Sequence, residues 1–293
     1  MLEHRTECHV CGGESLIAMP EMVRLVRPAF SDTTILRCRR CGLGQLAPLP
    51  SEADVRGVYE SAAYAGAYDQ AGEQFVVNPR DAARTLQPRF EMLQRLLAHG
   101  EKILDVGASR GHFLAEARDR GWKIAGLEAG QNAIDFARSE LGIEIQAGTI
   151  ETAALPEGEF DCVHLSHVLE HLRDPRGAVQ RIRQLLRPGG VFVVEVPNEF
   201  GDLFTRCRQW FLRRPPTANV VPSTHLYFFT LRSLRQLLTD AGFEVLQSAT
   251  PRRNQSYESR IPLGTLAKRA VYGVEQRLQM GPNLEMFARR VGS

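Results

Sequence analysis

Residues 102–121 read KILDVGASRGHFLAEARDRG, and no other stretch constrains the fold as tightly. ILDV is a short buried-strand pattern, and HFLAEARDRG has helical spacing. Between them GASRG turns the chain from strand to helix. Gly107 and Gly111 at its ends let backbone amides and the helix N-terminus approach a ligand. The turn is not a dinucleotide fingerprint, because it lacks the three glycines that accommodate a pyrophosphate. A second short strand pattern, KIAGLEAG, ends in the acid Glu128, and an acid there suits a ribose diol.

The 293 residues suffice for one large α/β domain and a small appendage. The appendage announces itself in the cysteines. CHVCGG places Cys8 and Cys11, and CRRCGL places Cys38 and Cys41. Two residues between thiolates let both sulfurs face one ion from a tight turn. Four thiolates make a closed tetrahedral site, so these residues predict a structural Zn2+ in a ribbon over residues 1–50, with His9 a weaker rival ligand. So small a module cannot bury much core, and the metal would be its staple. Pro48 and Pro50 end the ribbon. Ser51 reads as an N-cap with Asp54 in the first turn, and residues 51–80 read as a helical linker or lid carrying Tyr59, Tyr64 and Tyr68. ARTLQPRFEMLQRLLAHG then has apolar residues at helical spacing with Gly100 as its stop.

A net charge of +2 supplies no bulk basic field of the kind a dedicated nucleic-acid binder carries. The basic residues are nevertheless 33 Arg against 3 Lys, a bias either compositional or suited to gripping phosphates and carboxylates. No charged-then-apolar leader opens the chain and no apolar run approaches a bilayer span, so the expectation is a cytoplasmic protein. Cys162 and Cys207 receive no role.

Asp105-Val106-Gly107-Ala108-Ser109-Arg110-Gly111 followed by Glu128 resembles the first two motifs of class I S-adenosylmethionine-dependent methyltransferases. GIEIQAGTIETAALPEGEFDCVHLSHVLEHLRDP resembles their third strand, adenine-side loop and fourth strand. AVQRIRQLLRPGGVFVVEVPN, LRSLRQLLTDAGFEVLQSAT and GPNLEMFARR resemble the remaining helices and strands, so that the likeness covers residues 81–293. It implies a Rossmann-like, seven-stranded, mostly parallel α/β sheet with helices on both faces, interrupted by insertions at 199–223 and 255–281. It implies S-adenosylmethionine as cofactor, held by Asp105, Gly107, Ala108, Ser109, Gly111, Glu128, Ala129, Gly148, Thr149, Ile150, Ser166 and His167. Ser109 stands where the family pattern has its central glycine, which is harmless if its φ stays negative. Thr149 stands where an acid is frequent, leaving the adenine amino group to Glu151 or backbone. With its ribbon, the chain is similar to zinc-ribbon methyltransferases of bacterial polysaccharide and deoxysugar clusters.

HVLEH, residues 167–171, matches an inverted zinc-protease pattern, but it follows the strand DCVHLS directly instead of lying in a long helix. Some methyltransferases with E-x-x-E-H at this place bind a divalent metal; here His167 replaces the first acid. The insertion NEFGDLFTRCRQWFLRRPPTANVVPS interleaves aromatics with Arg206, Arg208, Arg213 and Arg214. It reads as an amphipathic cap, then as a grip on a phosphorylated acceptor, then as a peripheral membrane contact. STHLYFFT, residues 223–230, offers His225 either as a buried core histidine or as a general base. In the sugar C-methyltransferases a similar histidine, preceded by an acid, is the proposed base; here Thr224 precedes it. Tyr227 is expected at the pocket wall, and His167 is the second catalytic candidate.

The expected activity is methyl transfer to a small acceptor, a sugar, nucleotide-sugar or glycan hydroxyl. The rival readings are a zinc-ribbon RNA methyltransferase and a non-catalytic zinc-ribbon scaffold. A nucleic-acid partner is not expected, and the sequence carries no reading of oligomeric state.

Overall fold

The computed structural model describes residues 7–20, 29–30, 32–59, 79–97, 100–199, 224–251 and 265–292. Tyr64, Tyr68 and the aromatic-arginine insertion from Phe200 to Ser223 lie outside them.

Three short strands, β1 (Leu16–Ala18), β2 (Thr34–Cys38) and β3 (Gly44–Ala47), form the N-terminal ribbon. Helix α1 (Glu52–Tyr59) follows, and its start is fixed as the sequence predicts. The Asp54 amide donates to Ser51 Oγ at 3.1 Å, and the Ser51 amide donates to the Asp54 carboxylate at 3.0 Å. Helix α2 (Pro79–Leu96) leads into the main domain.

That domain alternates strand and helix: β4 (Lys102–Val106), α3 (His112–Asp119), β5 (Lys123–Glu128), α4 (Gln131–Leu141), β6 (Gln146–Ala147), β7 (Phe160–Ser166), α5 (Pro175–Leu185) and β8 (Leu186–Pro197). After these come β9 (Tyr227–Phe228), α6 (Leu231–Asp240), β10 (Phe243–Ala249), α7 (Thr265–Leu278) and β11 (Asn283–Arg290). The seven-stranded sheet has the order β10-β11-β8-β7-β4-β5-β6, with β11 antiparallel to both neighbours. The chain runs outward from β4 to β6, then restarts at β7 on the other side. The carboxyl ends of β4 and β7 therefore form the switch point where such sheets bind ligands.

Alternation within each strand divides the two faces. Ile103, Cys162, Val191, Val193 and Phe287 meet Phe90 and Leu93 of α2 and Phe113 and Ala117 of α3. Leu104, Val163, Leu165, Phe192 and Val194 meet α5 and α6 on the other face. The ribbon's Val10, Ile35, Leu43 and Leu46 belong to this second core, so the appendage packs onto the domain.

The link is STHLYFFT. β9 pairs antiparallel with β3, joining Tyr227 to Gln45 and Phe228 to Gly44, and the ribbon sheet thereby becomes four-stranded. Leu226, Tyr227, Phe228 and Phe229 are all buried, each contributing about 1.5–3 kcal/mol. The expectation that Tyr227 lines a pocket is not met. Its hydroxyl donates to the Arg173 carbonyl at 2.9 Å and accepts from His9 Nδ1 at 2.5 Å. His9 is thus committed to the domain joint and is no rival metal ligand.

Candidate active site

The residues expected to hold a cofactor gather at one edge of the sheet, along the carboxyl ends of β6, β5, β4 and β7. The Glu128 carboxylate accepts from the Ser109 amide through one oxygen and from the Gly130 amide through the other, both at 2.8 Å. These bonds hold the acid on the rim beside the glycine turn, half-exposed, with lone pairs left for two ligand hydroxyls. Ala129 and Thr149 are exposed, Gly148 and Ser166 half-buried, and the His167 side chain is 48% accessible. Asp105, Ala108, Gly111 and Ile150 are buried, so the Ala108 and Ile150 side chains face the core and only their backbone can meet a ligand.

Ser109 departs from expectation. Its φ is +48°, in the left-handed region, and His167 shares that conformation at +57°. Each costs on the order of 1–3 kcal/mol in a residue with a side chain, and such strain concentrates where a site needs a particular backbone shape. Gly107 has φ +72°, and a Cβ there would run into Val168. The glycine turn and the loop after β7 are therefore packed together with no space between them.

That loop carries HVLEH. Leu169–His171 is a single 3-10 turn, not a long helix, so the protease-like arrangement is absent. Glu170 and His171 point toward His225 from Thr224–Thr230. The His171 and His225 rings are 4.8 Å apart in an edge contact. His225 Nδ1 lies 2.8 Å from Glu199 Oε1. This acid plays the orienting part that Thr224 could not, and it stands just after β8, with no local sequence signal tying it to His225. Burial opposes charge on His225, but Glu199 outweighs it and raises the pKa to about 9. His171 moves the other way, to about 4, chiefly through burial.

Beneath the cofactor edge runs a second polar group that sequence reasoning missed. Arg89 of α2 is fully buried on the sheet. Its Nε donates to Glu285 at 2.7 Å, its Nη2 pairs with Glu195, and its Nη1 lies 2.5 Å from His164 Nε2. His164 Nδ1 in turn donates to Asp105 at 2.6 Å. Asp105 is thus spoken for by His164. The row spans β4, β7, β8 and β11, and it locks α2 across the sheet.

In the ribbon, the Cys8, Cys11, Cys38 and Cys41 sulfurs all lie within 4.8 Å of one another. Cys8 and Cys41 are 3.5 Å apart, Cys11 and Cys38 3.6 Å, and all four are free thiols. Sulfurs at about 2.3 Å from a tetrahedral centre stand roughly 3.8 Å from each other, so the set fits zinc. The Cys8–Cys41 sulfur contact lowers the Cys8 pKa to about 5 and pushes Cys41 upward.

A Rossmann-like sheet with a glycine turn, a rim acid on the second strand and a closing antiparallel strand defines a nucleotide-cofactor domain of the methyltransferase architecture. The match to known proteins is specific: the family model described as a methyltransferase domain covers residues 79–248, and the chain belongs to that family. A probable S-adenosylmethionine-dependent methyltransferase of Mycolicibacterium smegmatis is 29% identical over 161 residues, 54% of this chain and 58% of its own length. A ubiquinone biosynthesis O-methyltransferase of Cronobacter sakazakii is 37% identical over 120 residues, 39% of this chain and 46% of its own. The chain spans about half the length of the curated relatives it matches. Among solved structures, the Burkholderia thailandensis 1,6-didemethyltoxoflavin-N1-methyltransferase superposes with a TM-score of 0.56 at 18% identity, covering 90% of this chain and 98% of its own. That likeness shows the shared fold.

Proposed function

We propose that this chain transfers the methyl group of S-adenosylmethionine to a small acceptor, of the sugar, nucleotide-sugar or glycan hydroxyl class. The observation that carries the reading is the Glu128 carboxylate pinned by Ser109 and Gly130 beside the glycine turn, one Val168 contact away from the His167–His171 loop and His225. Glu128 meets the ribose hydroxyls, and the turn's amides and the start of α3 meet the rest of the cofactor. The bound cofactor supplies an activated methyl, and the chain's work is alignment of the acceptor, an effect worth about 7–11 kcal/mol. His225, oriented by Glu199, and His167 are the catalytic residues on the acceptor side. The sugar class rests on the ribbon's likeness to polysaccharide-cluster enzymes. Zinc on the four cysteines is structural: it holds the ribbon whose β3 carries β9, and β9 begins two residues after His225.

Calorimetry with S-adenosylmethionine and transfer of its labelled methyl to a panel of nucleotide-sugars, with ribosomal RNA as the rival acceptor, test this. The expected outcome is cofactor binding, label on a sugar hydroxyl, and a loss of about 100-fold or more in His225→Asn with cofactor affinity and thermal midpoint unchanged. Absence of cofactor binding refutes methyl transfer, and label on RNA with steep salt dependence refutes the acceptor class.

A further inference from the structure

His225 and the HVLEH loop stand on short pieces of chain. β9 is two residues long, and Leu169–His171 is a single turn. The two pieces are sewn to each other: the Leu226 amide donates to the Glu170 carbonyl at 2.9 Å, and His171 Nδ1 lies 3.2 Å from Thr224 Oγ1. His167 in this loop keeps φ at +57°, a conformation that persists only where the surroundings over-determine it. The ribbon supplies such surroundings to both pieces. The Leu46 amide donates to the Leu226 carbonyl at 3.0 Å, Thr230 Oγ1 donates to the Cys41 carbonyl at 3.3 Å, and Arg173 Nε donates to the Pro50 carbonyl at 3.0 Å. Among the described residues, β3 is the one strand that β9 pairs with.

One contact ties the three parts at a point. The Tyr227 hydroxyl has one proton, and it goes to the Arg173 carbonyl just beyond HVLEH. The bond to His9 Nδ1 at 2.5 Å is therefore donated by the ring. His9 lies inside the first cysteine knuckle, and its backbone is fixed in turn. Its amide donates to Gln45 Oε1 at 3.1 Å, and Gln45 Nε2 donates to the Glu7 carbonyl at 3.1 Å. Gln45 is buried and is itself the register partner of Tyr227. The knuckle, β9 and the HVLEH loop thus meet at one hydroxyl, on the second residue after His225.

We propose that His9 is a positioning residue for His225, acting through the Tyr227 hydroxyl, and that the ribbon thereby sets the alignment of the acceptor site. The role rests on the methyl-transfer reading and deepens it. The pairing it protects is that of His225 with Glu199. The acid stands after β8 on the domain, and the ring stands beside the strand that the ribbon holds, so the 2.8 Å contact survives only while ribbon and domain keep their register. A misplacement of about 1 Å in a catalytic group can cost on the order of 100-fold in rate.

The test is histidine side-chain NMR of the zinc-replete full chain, with the His225 signal assigned by its loss in His225→Asn and followed through pH. The titratable groups described around His225 are Glu199, Glu170, His167 and His171, all outside the ribbon, so a change at His9 reaches the titration only by moving the ring. Tyr227→Phe and His9→Leu should each lower the His225 midpoint from about 9 toward the ordinary 6.5, because the ring drifts from Glu199. The double variant should go no lower than either alone, since both break one link. His9→Asn keeps an amide donor near the place of Nδ1 and should restore the wild-type midpoint. Cobalt absorption at the four cysteines and calorimetric affinity for S-adenosylmethionine should be unchanged throughout, which separates lost alignment from lost folding. His9 is half-buried at the knuckle's edge, so its variants keep the test open should Tyr227→Phe fail to fold. Turnover should fall about 10- to 100-fold in Tyr227→Phe, and no further when that change is added to His225→Asn. A His225 midpoint equal in wild type and both variants overturns the link, as does a midpoint in His9→Asn as low as in His9→Leu, which assigns the effect to packing. Wild-type turnover in Tyr227→Phe overturns the alignment role while leaving methyl transfer standing. Failure of the wild type to bind S-adenosylmethionine sinks the methyl-transfer reading, and the His225 titration is read without that cofactor.

Discussion

Replacing Arg89 tests whether the buried polar row holds α2 to the sheet. Arg89→Met keeps most of the side-chain volume and removes the charge. Glu195 and Glu285, both under 5% exposed, then lose the guanidinium they share, on one face with Asp105 beyond His164. Breaking a buried ion pair by removing one partner costs about 3–5 kcal/mol. For a domain of this size that is a fall of about 6–20 °C in thermal midpoint. The deficit should depend on pH with a definite sign. Without Arg89 the two carboxyls acquire folded pKa values above their unfolded ones. The variant is then fully stable only below the ordinary carboxylate range, and it loses stability as pH rises through the raised values. Melting followed by circular dichroism should show a small gap from wild type near pH 5 and the full gap near pH 8. Adding Glu285→Gln should recover part of it. A gap under about 2 °C at pH 8, or one that does not change with pH, would refute the argument.

Three further outcomes follow from the site. Cys38→Ser should release thiolate-bound zinc, about one ion per chain in the wild type, as measured by the charge-transfer absorption of a cobalt-substituted sample. Glu128→Ala should weaken S-adenosylmethionine by about 1.5–3 kcal/mol, roughly 10- to 150-fold, in calorimetry, since it removes the acceptor for two ligand hydroxyls. Gly107→Ala puts a methyl against Val168 at a left-handed φ, and should cost about 1–3 kcal/mol of stability in urea unfolding along with displacement of the HVLEH loop.

Much of the architecture was legible in local pattern. Strand-turn-helix punctuation around DVGASRG, the acid at Glu128, the paired cysteines and the closing strand at Asn283–Arg290 each depend on neighbours within a few residues, where periodicity and turn chemistry operate. What only the tertiary structure decided involves partners far apart in the chain. Glu199 finds His225 across the insertion, and Arg89 finds Glu285 through a sheet order that sequence spacing does not encode. Tyr227 reads as an aromatic near a site, yet its position is set by pairing of β9 with the ribbon and by bonds to His9 and Arg173. Ser109 accepts a left-handed φ although it is not glycine, with its amide held by the Glu128 carboxylate. In each case the side chain's role is fixed by which distant groups share its buried surroundings, where an unsatisfied charge or donor is costly, and that pairing exists only once the strands have been placed in order.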